Sequence, residues 1–160
     1  MPIKVGDRLP NVTFMVMTAE GPKPRTTDEI FKGKKVVLFA VPGAFTPTCH
    51  KNHLPGFVKN AAAIKAKGVD TIAVTGVNDV FVMDAWKKAS GADGIEFLAD
   101  GSGKFASAIG LTADLTERGL GVRSQRYAML VEDGVVKTLN IEDAPGKAEI
   151  SSAENLLKSL

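Results

Sequence analysis

Apolar and polar positions change their period several times along the chain, and each change marks an element. NVTFMVMT, from Asn11 to Thr18, is rich in β-branched and apolar residues and predicts a first strand. In GPKPR, which follows soon after, two prolines and a glycine predict a turn. TTDEIFKG predicts a short helix with Thr27 near its cap and acidic residues in its first turn. KKVVLFAV is an apolar run without alternation, the pattern of a strand buried on both faces, and it ends at Pro42. From Cys49 to Lys67 the positions Leu54, Phe57, Val58, Ala61, Ala62, Ile64 and Ala66 recur at helical spacing opposite Lys59, Lys65 and Lys67. Pro55 and Gly56 are expected to kink or interrupt that helix.

VDTIAVTG then predicts a strand, DVFVMDAWKKAS an amphipathic helix opening at Asp79, IEFLAD a strand and GKFASAIG a short helix. Strands and helices in alternation call for parallel strands with helices laid over the sheet. The tail differs: RYAMLVEDGVVKTLNIE is two strand-like runs around Glu132-Asp133-Gly134, and Asp-Gly between β-branched runs is a strong hairpin signal. SSAENLLKSL ends the chain as a helix, with Ser151 and Glu154 at capping-box spacing and Leu156, Leu157 and Leu160 on one face. The expected fold is α/β: a thioredoxin-like arrangement with a mixed central sheet flanked by helices and an N-terminal extension, formed as one domain over residues 1–160.

Composition narrows the function classes. The 160 residues are 44% hydrophobic and 24% charged, with a net charge of +2 and basic runs no denser than Lys34-Lys35 and Lys87-Lys88, so no nucleic-acid footprint is present. The longest wholly apolar run, Val36 to Val41, falls far short of the roughly 20 residues a membrane-spanning helix needs. The start, MPIKVGDRLP, lacks the apolar stretch of a secretory signal, and the chain is expected to be complete and cytoplasmic. Cys49 is the one cysteine, which excludes an intrachain disulfide and a cysteine metal cluster.

The chemistry concentrates in VPGAFTPTCHKNHLPGF, Val41 to Phe57, where a buried strand gives way to a helix. Ligands of open α/β sheets favour the crevice at the carboxyl ends of the strands. At the first turn of a helix, backbone N–H groups and the dipole favour an anion, so a thiolate at Cys49 is stabilised there. Thr46, three residues earlier, can point its hydroxyl into the same pocket or simply cap the helix, and Thr48 should face elsewhere. Pro42 and Pro47 stiffen the loop and can shield the sulfur from water. A lone cysteine also has a plainer reading as a small core hydrophobe. His50 and His53 are expected at the surface or as capping groups, because no partner carboxylate for a Cys-His pair is identifiable and the spacing fits no zinc pattern.

Pro42, Thr46 and Cys49 together match the P-x-x-x-T/S-x-x-C motif of the peroxiredoxins, and VPGAFTPTC followed by HLPGF resembles the type II, or peroxiredoxin-5-like, subfamily. The similarity continues through KGVDTIAVTGVNDVFVMDAW and RSQRYAMLVEDGVVKTLNIE, nearly the whole chain. It implies that Cys49 attacks a peroxide and becomes a sulfenic acid, that Thr46 binds the peroxide, that Pro42 covers the sulfur and that Arg126 favours the thiolate and holds the peroxide oxygens. Arg123 is the alternative if the register differs by a turn, and a surface ion pair is the plainer reading of Arg126. No metal or organic cofactor is implied. Where many type II members carry a resolving cysteine, this chain has Val74 and Ile150, so the resemblance implies an external thiol: glutathione with glutaredoxin, or thioredoxin. It further implies a homodimer, with Phe45 and the loop from Asp79 to Phe81 at the contact. The competing reading is a peroxide-sensing thioredoxin-like binding module or holdase chaperone.

Overall fold

The computed structural model describes residues 2–144 and 146–160. β1 (Thr13–Thr18) and β2 (Gly21–Thr26) form an antiparallel ribbon, and α1 (Thr27–Phe31) follows. β3 (Lys35–Ala40), α2 (Leu54–Lys65), β4 (Thr71–Gly76), α3 (Val80–Ser90), β5 (Glu96–Ala99) and α4 (Lys104–Ala108) continue the alternation. β6 (Thr112–Leu115) and β7 (Gly121–Ser124) make a small separate hairpin, β8 (Tyr127–Glu132) and β9 (Val135–Ile141) a larger one, and α5 (Ala153–Leu157) comes last.

Seven strands form one sheet in the order β2-β1-β5-β4-β3-β8-β9. β3, β4 and β5 are parallel, whereas β8 runs antiparallel to β3 and β9 to β8, so the sheet is mixed. β3 has neighbours on both edges and layers on both faces, which is why its sequence lacks alternation. Val37, Phe39 and Val41 enter one apolar layer with Leu54 and Phe57 of α2, Trp86 of α3 and Leu156 of α5. Val36, Leu38 and Ala40 enter the other with Phe31 of α1, Phe105 of α4 and Tyr127. This is the thioredoxin-like, helix-flanked mixed sheet expected from the element order.

Several local expectations are corrected. GPKPR is not a turn but lies within β2, an edge strand paired only to β1, where prolines are tolerated because the outer side of an edge needs no ladder donor. Thr27 does lie beside the cap of α1, which is Thr26: the Thr26 side chain accepts from Glu29 N–H, and Glu29 reaches back to the Thr26 backbone. Thr27 instead exchanges hydrogen bonds with the Val12 backbone. Pro55 does not end the helical run but sits in the first turn of α2, just where the π-helical turn Cys49–His53 gives way to α-helix. The β6–β7 hairpin had no counterpart in the sequence reading. Ser152, not Ser151, caps α5 by accepting from Asn155 N–H. Among the described residues no helix is long and apolar enough to cross a membrane.

Candidate active site

The loop that leaves β3 is held by short-range bonds. Thr46 N–H donates to the Gly43 carbonyl at 3.3 Å, and the Thr46 hydroxyl donates to the same oxygen at 2.6 Å. Gly43 is set by space: a Cβ there would stand 3.0 Å from Thr46 Cγ2 and 3.3 Å from Arg123 Nη1. Phe45 has φ 64, a left-handed conformation that costs a non-glycine residue about 1–2 kcal/mol. Its ring packs 5.6 Å from His50 and 6.5 Å from Trp86, contacts that hold the strained residue in place.

Cys49 opens a π-helical turn, Cys49–His53, that leads directly into α2. Leu54 N–H donates to the Cys49 carbonyl five residues back, the wide-turn geometry frequent at functional sites. Cys49 is fully buried, and Arg126, immediately before β8, reaches it across the sheet: Nη2 donates to Sγ at 3.0 Å. Nη1 of the same guanidinium donates to His53 Nδ1 at 3.0 Å. An arginine can only donate, so Nδ1 accepts; His53 Nε2 then carries the proton and donates to the Ser151 carbonyl at 2.9 Å.

The electrostatics agree with that tautomer. His53 sits between the rings of Phe39 and Phe57, with centroids 5.0 and 5.5 Å away. Burial first, then the positive charge of Arg126, pushes its pKa down to about 3, so the ring is neutral at physiological pH. Ser151 is fixed in turn by Glu142, whose carboxylate accepts from the Ser151 amide at 2.9 Å and its hydroxyl at 2.7 Å, and from the amides of Glu149 and Ile150. Burial alone would raise the Glu142 carboxyl, but these bonds outweigh it and hold it below the ordinary carboxylate value. A continuous chain thus runs from Cys49 through Arg126, His53 and Ser151 to Glu142.

Beside the thiol lies a pocket of about 270 Å³. Pro42, Thr46, Thr48 and Arg126 form its inner part, and Pro47 with Leu115, Arg118 and Leu120 of the β6–β7 hairpin forms an outer wall. The structure therefore brings Cys49 to Arg126 and gathers Pro42, Thr46 and Arg126 around one cavity. Arg123, the alternative arginine, is instead beside Gly43 and donates from Nε to the Leu120 carbonyl at 2.7 Å. Thr48, expected to face elsewhere, lines the same pocket and donates its hydroxyl to the Gly146 carbonyl at 2.9 Å. His50 is partly exposed and accepts from Trp86 Nε1 at 3.1 Å.

His53 corrects the sequence reading: it is not at the surface and, though it stands at the N-cap position of α2, its side chain caps nothing and is buried in the site as the partner of Arg126 rather than of Cys49. A signal existed, since His53 precedes Leu54 and Phe57 on the apolar side of a helix. Glu142 and the hairpin residue Arg118 were also missed, the former because its partners are backbone amides and the latter because its hairpin was unseen.

A buried thiol facing a guanidinium at the carboxyl end of a thioredoxin-like sheet defines a thiol-based redox protein. The redoxin family model matches residues 4–157. Peroxiredoxin-2E, chloroplastic, of Arabidopsis thaliana is 49% identical over 163 residues, covering 99% of this chain and 69% of that protein. The crystal structure of reduced Prx3 in complex with H2O2 from Vibrio vulnificus has a TM-score of 0.94 at 53% identity, over 98% of both chains. That of the Plasmodium falciparum antioxidant protein, a 1-Cys peroxiredoxin, has a TM-score of 0.90 at 28% identity, over 99% of this chain and 100% of that one. The chain belongs to the redoxin family, among its peroxiredoxins, and is a thiol-dependent peroxidase.

Proposed function

We propose that Cys49 is the peroxidatic nucleophile, acting on hydrogen peroxide and small alkyl hydroperoxides. The observation that carries this is the 3.0 Å contact from Arg126 Nη2 to Cys49 Sγ. The thiolate attacks one peroxide oxygen, the O–O bond breaks, and the other oxygen takes a proton and leaves as water or alcohol, with Cys49 left as a sulfenic acid. Thr46 donates its own proton to Gly43, so its oxygen lone pairs face the task of accepting from the peroxide O–H. Arg126, with the backbone N–H groups of Thr48 and Cys49, follows the negative charge from sulfur to the leaving oxygen. Pro42 covers the sulfur and limits water. The scheme balances with thiols alone and calls on no metal or organic cofactor.

The chain has one cysteine, so resolution falls to an external thiol, glutathione with glutaredoxin or thioredoxin. In this reading residues 1–160 act as a single domain in the cytoplasm, as a homodimer whose contact uses Phe45 and Phe81, 46% and 65% exposed. Cys49→Ser is expected to abolish peroxide turnover in a coupled assay with excess reductant, and mass spectrometry of the wild type after one equivalent of peroxide is expected to add one oxygen at Cys49. Retained turnover in Cys49→Ser would remove the assignment. Sedimentation of the wild type against Phe45→Ser tests the dimer.

A further inference from the structure

We infer that Arg118 is a recognition residue for the reductant: the thiol that first attacks oxidised Cys49 is a small one bearing a carboxylate, which seats on the Arg118 guanidinium. This rests on Cys49 being the oxidised residue. The pocket beside the thiol is lined by two arginines and by no acidic side chain. Arg126, the inner one, is already engaged by Cys49 and His53. Arg118, the outer one, is exposed, and its guanidinium has no hydrogen bond or ion pair with any described residue. Of the two acids on its hairpin, Asp114 is held by the Thr116 amide at 3.0 Å and by the Thr116 hydroxyl, and Glu117, next to Arg118 in the chain, is exposed and forms no ion pair with it.

An unpaired guanidinium over an apolar wall of Leu115, Leu120 and Pro47 matches a carboxylate, whose two oxygens fit the planar fork and whose charge is less screened there than in open water. Hydrogen peroxide and small alkyl hydroperoxides carry no such group and use only the inner part of the pocket. The reductant must enter by the same mouth. Its thiolate attacks Cys49 Sγ, the S–O bond breaks, and the oxygen leaves as water after taking a proton, giving a mixed disulfide. A second thiol then attacks the reductant's sulfur, releasing reduced Cys49 and a disulfide of the two thiols.

The test is a two-step single turnover. The protein is oxidised with one equivalent of peroxide, the sulfenic acid is verified by mass spectrometry, and mixed-disulfide formation is then timed with glutathione and with neutral 2-mercaptoethanol. Arg118→Ala is expected to lower the ratio of the glutathione rate to the 2-mercaptoethanol rate about fivefold, the size of an exposed charge pair. Arg118→Glu should lower it further, Arg118→Lys should recover part of it, and high salt should narrow the gap. An unchanged ratio in both Arg118→Ala and Arg118→Glu overturns the inference. So does an equal loss for both thiols, a loss seen only when a carboxylate-bearing hydroperoxide is the oxidant, or fast resolution by thioredoxin alone that is indifferent to Arg118. Failure to form the sulfenic acid in the first step overturns the Cys49 assignment instead, and it is seen before any thiol is added.

Discussion

Arg126 and Tyr127 are neighbours in the chain, both buried, and they point into opposite layers of the molecule. Along the chain of contacts around Arg126 the polar groups are partnered: guanidinium to Cys49 and His53, His53 to Ser151, Ser151 to Glu142. In the strand row through Tyr127 two hydroxyls are not. The Tyr127 hydroxyl and Thr75 Oγ1 are buried without a hydrogen-bond partner among the described residues, in one row across the sheet through Ala40. Burial, reinforced by the negative charge of Asp100, pushes the Tyr127 hydroxyl's ionisation far above its ordinary range. Asp100 itself is raised by burial, although it accepts from the amides of Phe105 and Ala106 at the start of α4. The difference teaches where polar order is needed. A charged group in the interior survives only with every partner in place, whereas a neutral hydroxyl can be left over at modest cost.

Breaking the partnered side should have the largest effect. Arg126→Ala removes the side chain that hydrogen-bonds both Sγ and His53, and the second-order rate with hydrogen peroxide is expected to fall about a hundredfold in stopped-flow measurements. Arg126→Lys should recover only part, since an ammonium cannot bridge two acceptors with the same fork. A fall of less than threefold would mean that the guanidinium is structural.

The next effect is a pH dependence. The unfolded chain binds the His53 proton near the ordinary value of 6.5, the folded protein only near 3. The unfolded state therefore holds more protons throughout that window. Stability is full above 6.5 and falls as pH drops through the window, by up to about 1.4 kcal/mol per pH unit. Glu142, whose folded pKa is depressed, acts in the same direction only at and below the ordinary carboxyl range, and Asp100, raised by burial, acts in the opposite direction, so in the interval from pH 6.5 to 5 the His53 contribution is the difference between the wild type and a His53 variant. Denaturant unfolding across that interval should show a stability loss toward low pH in the wild type that is smaller in His53→Gln. An identical slope in both proteins would place the proton elsewhere.

The unpartnered side should respond least. Tyr127→Phe deletes a buried hydroxyl that bonds to nothing described, and it is expected to leave peroxide turnover unchanged and to shift stability by less than about 1 kcal/mol, toward stabilisation. A loss above about 2 kcal/mol in chemical denaturation would show that the hydroxyl has a partner after all, and the contrast between the two layers would weaken.

Much of this molecule was readable from local pattern. The unalternating run of β3, the hairpin at Asp133-Gly134, whose residues take φ 49 and 78, and the Asp79 cap of α3 all depend on residues a few positions apart. So does the spacing of Pro42, Thr46 and Cys49. Arg126 entered through a resemblance, and the structure puts it on the sulfur although it lies 77 positions from Cys49.

What escaped the sequence is whatever long-range packing decides. GPKPR becomes a strand only because β1 offers it an edge, and Thr112–Ser124 becomes a hairpin only by folding back over the pocket. His53 looks like a surface histidine until the π-helical turn carries it between Phe39 and Phe57, 73 positions from Arg126 and 98 from Ser151. Residue types alone determined most of the elements and the thiol chemistry, since propensity, turn geometry and nucleophilicity are properties of short stretches. The tertiary structure decided which groups accompany the thiol. Partners far apart in the chain meet only after loop-closure entropy has been overcome by burial of the two apolar layers, and that balance is written in no single segment.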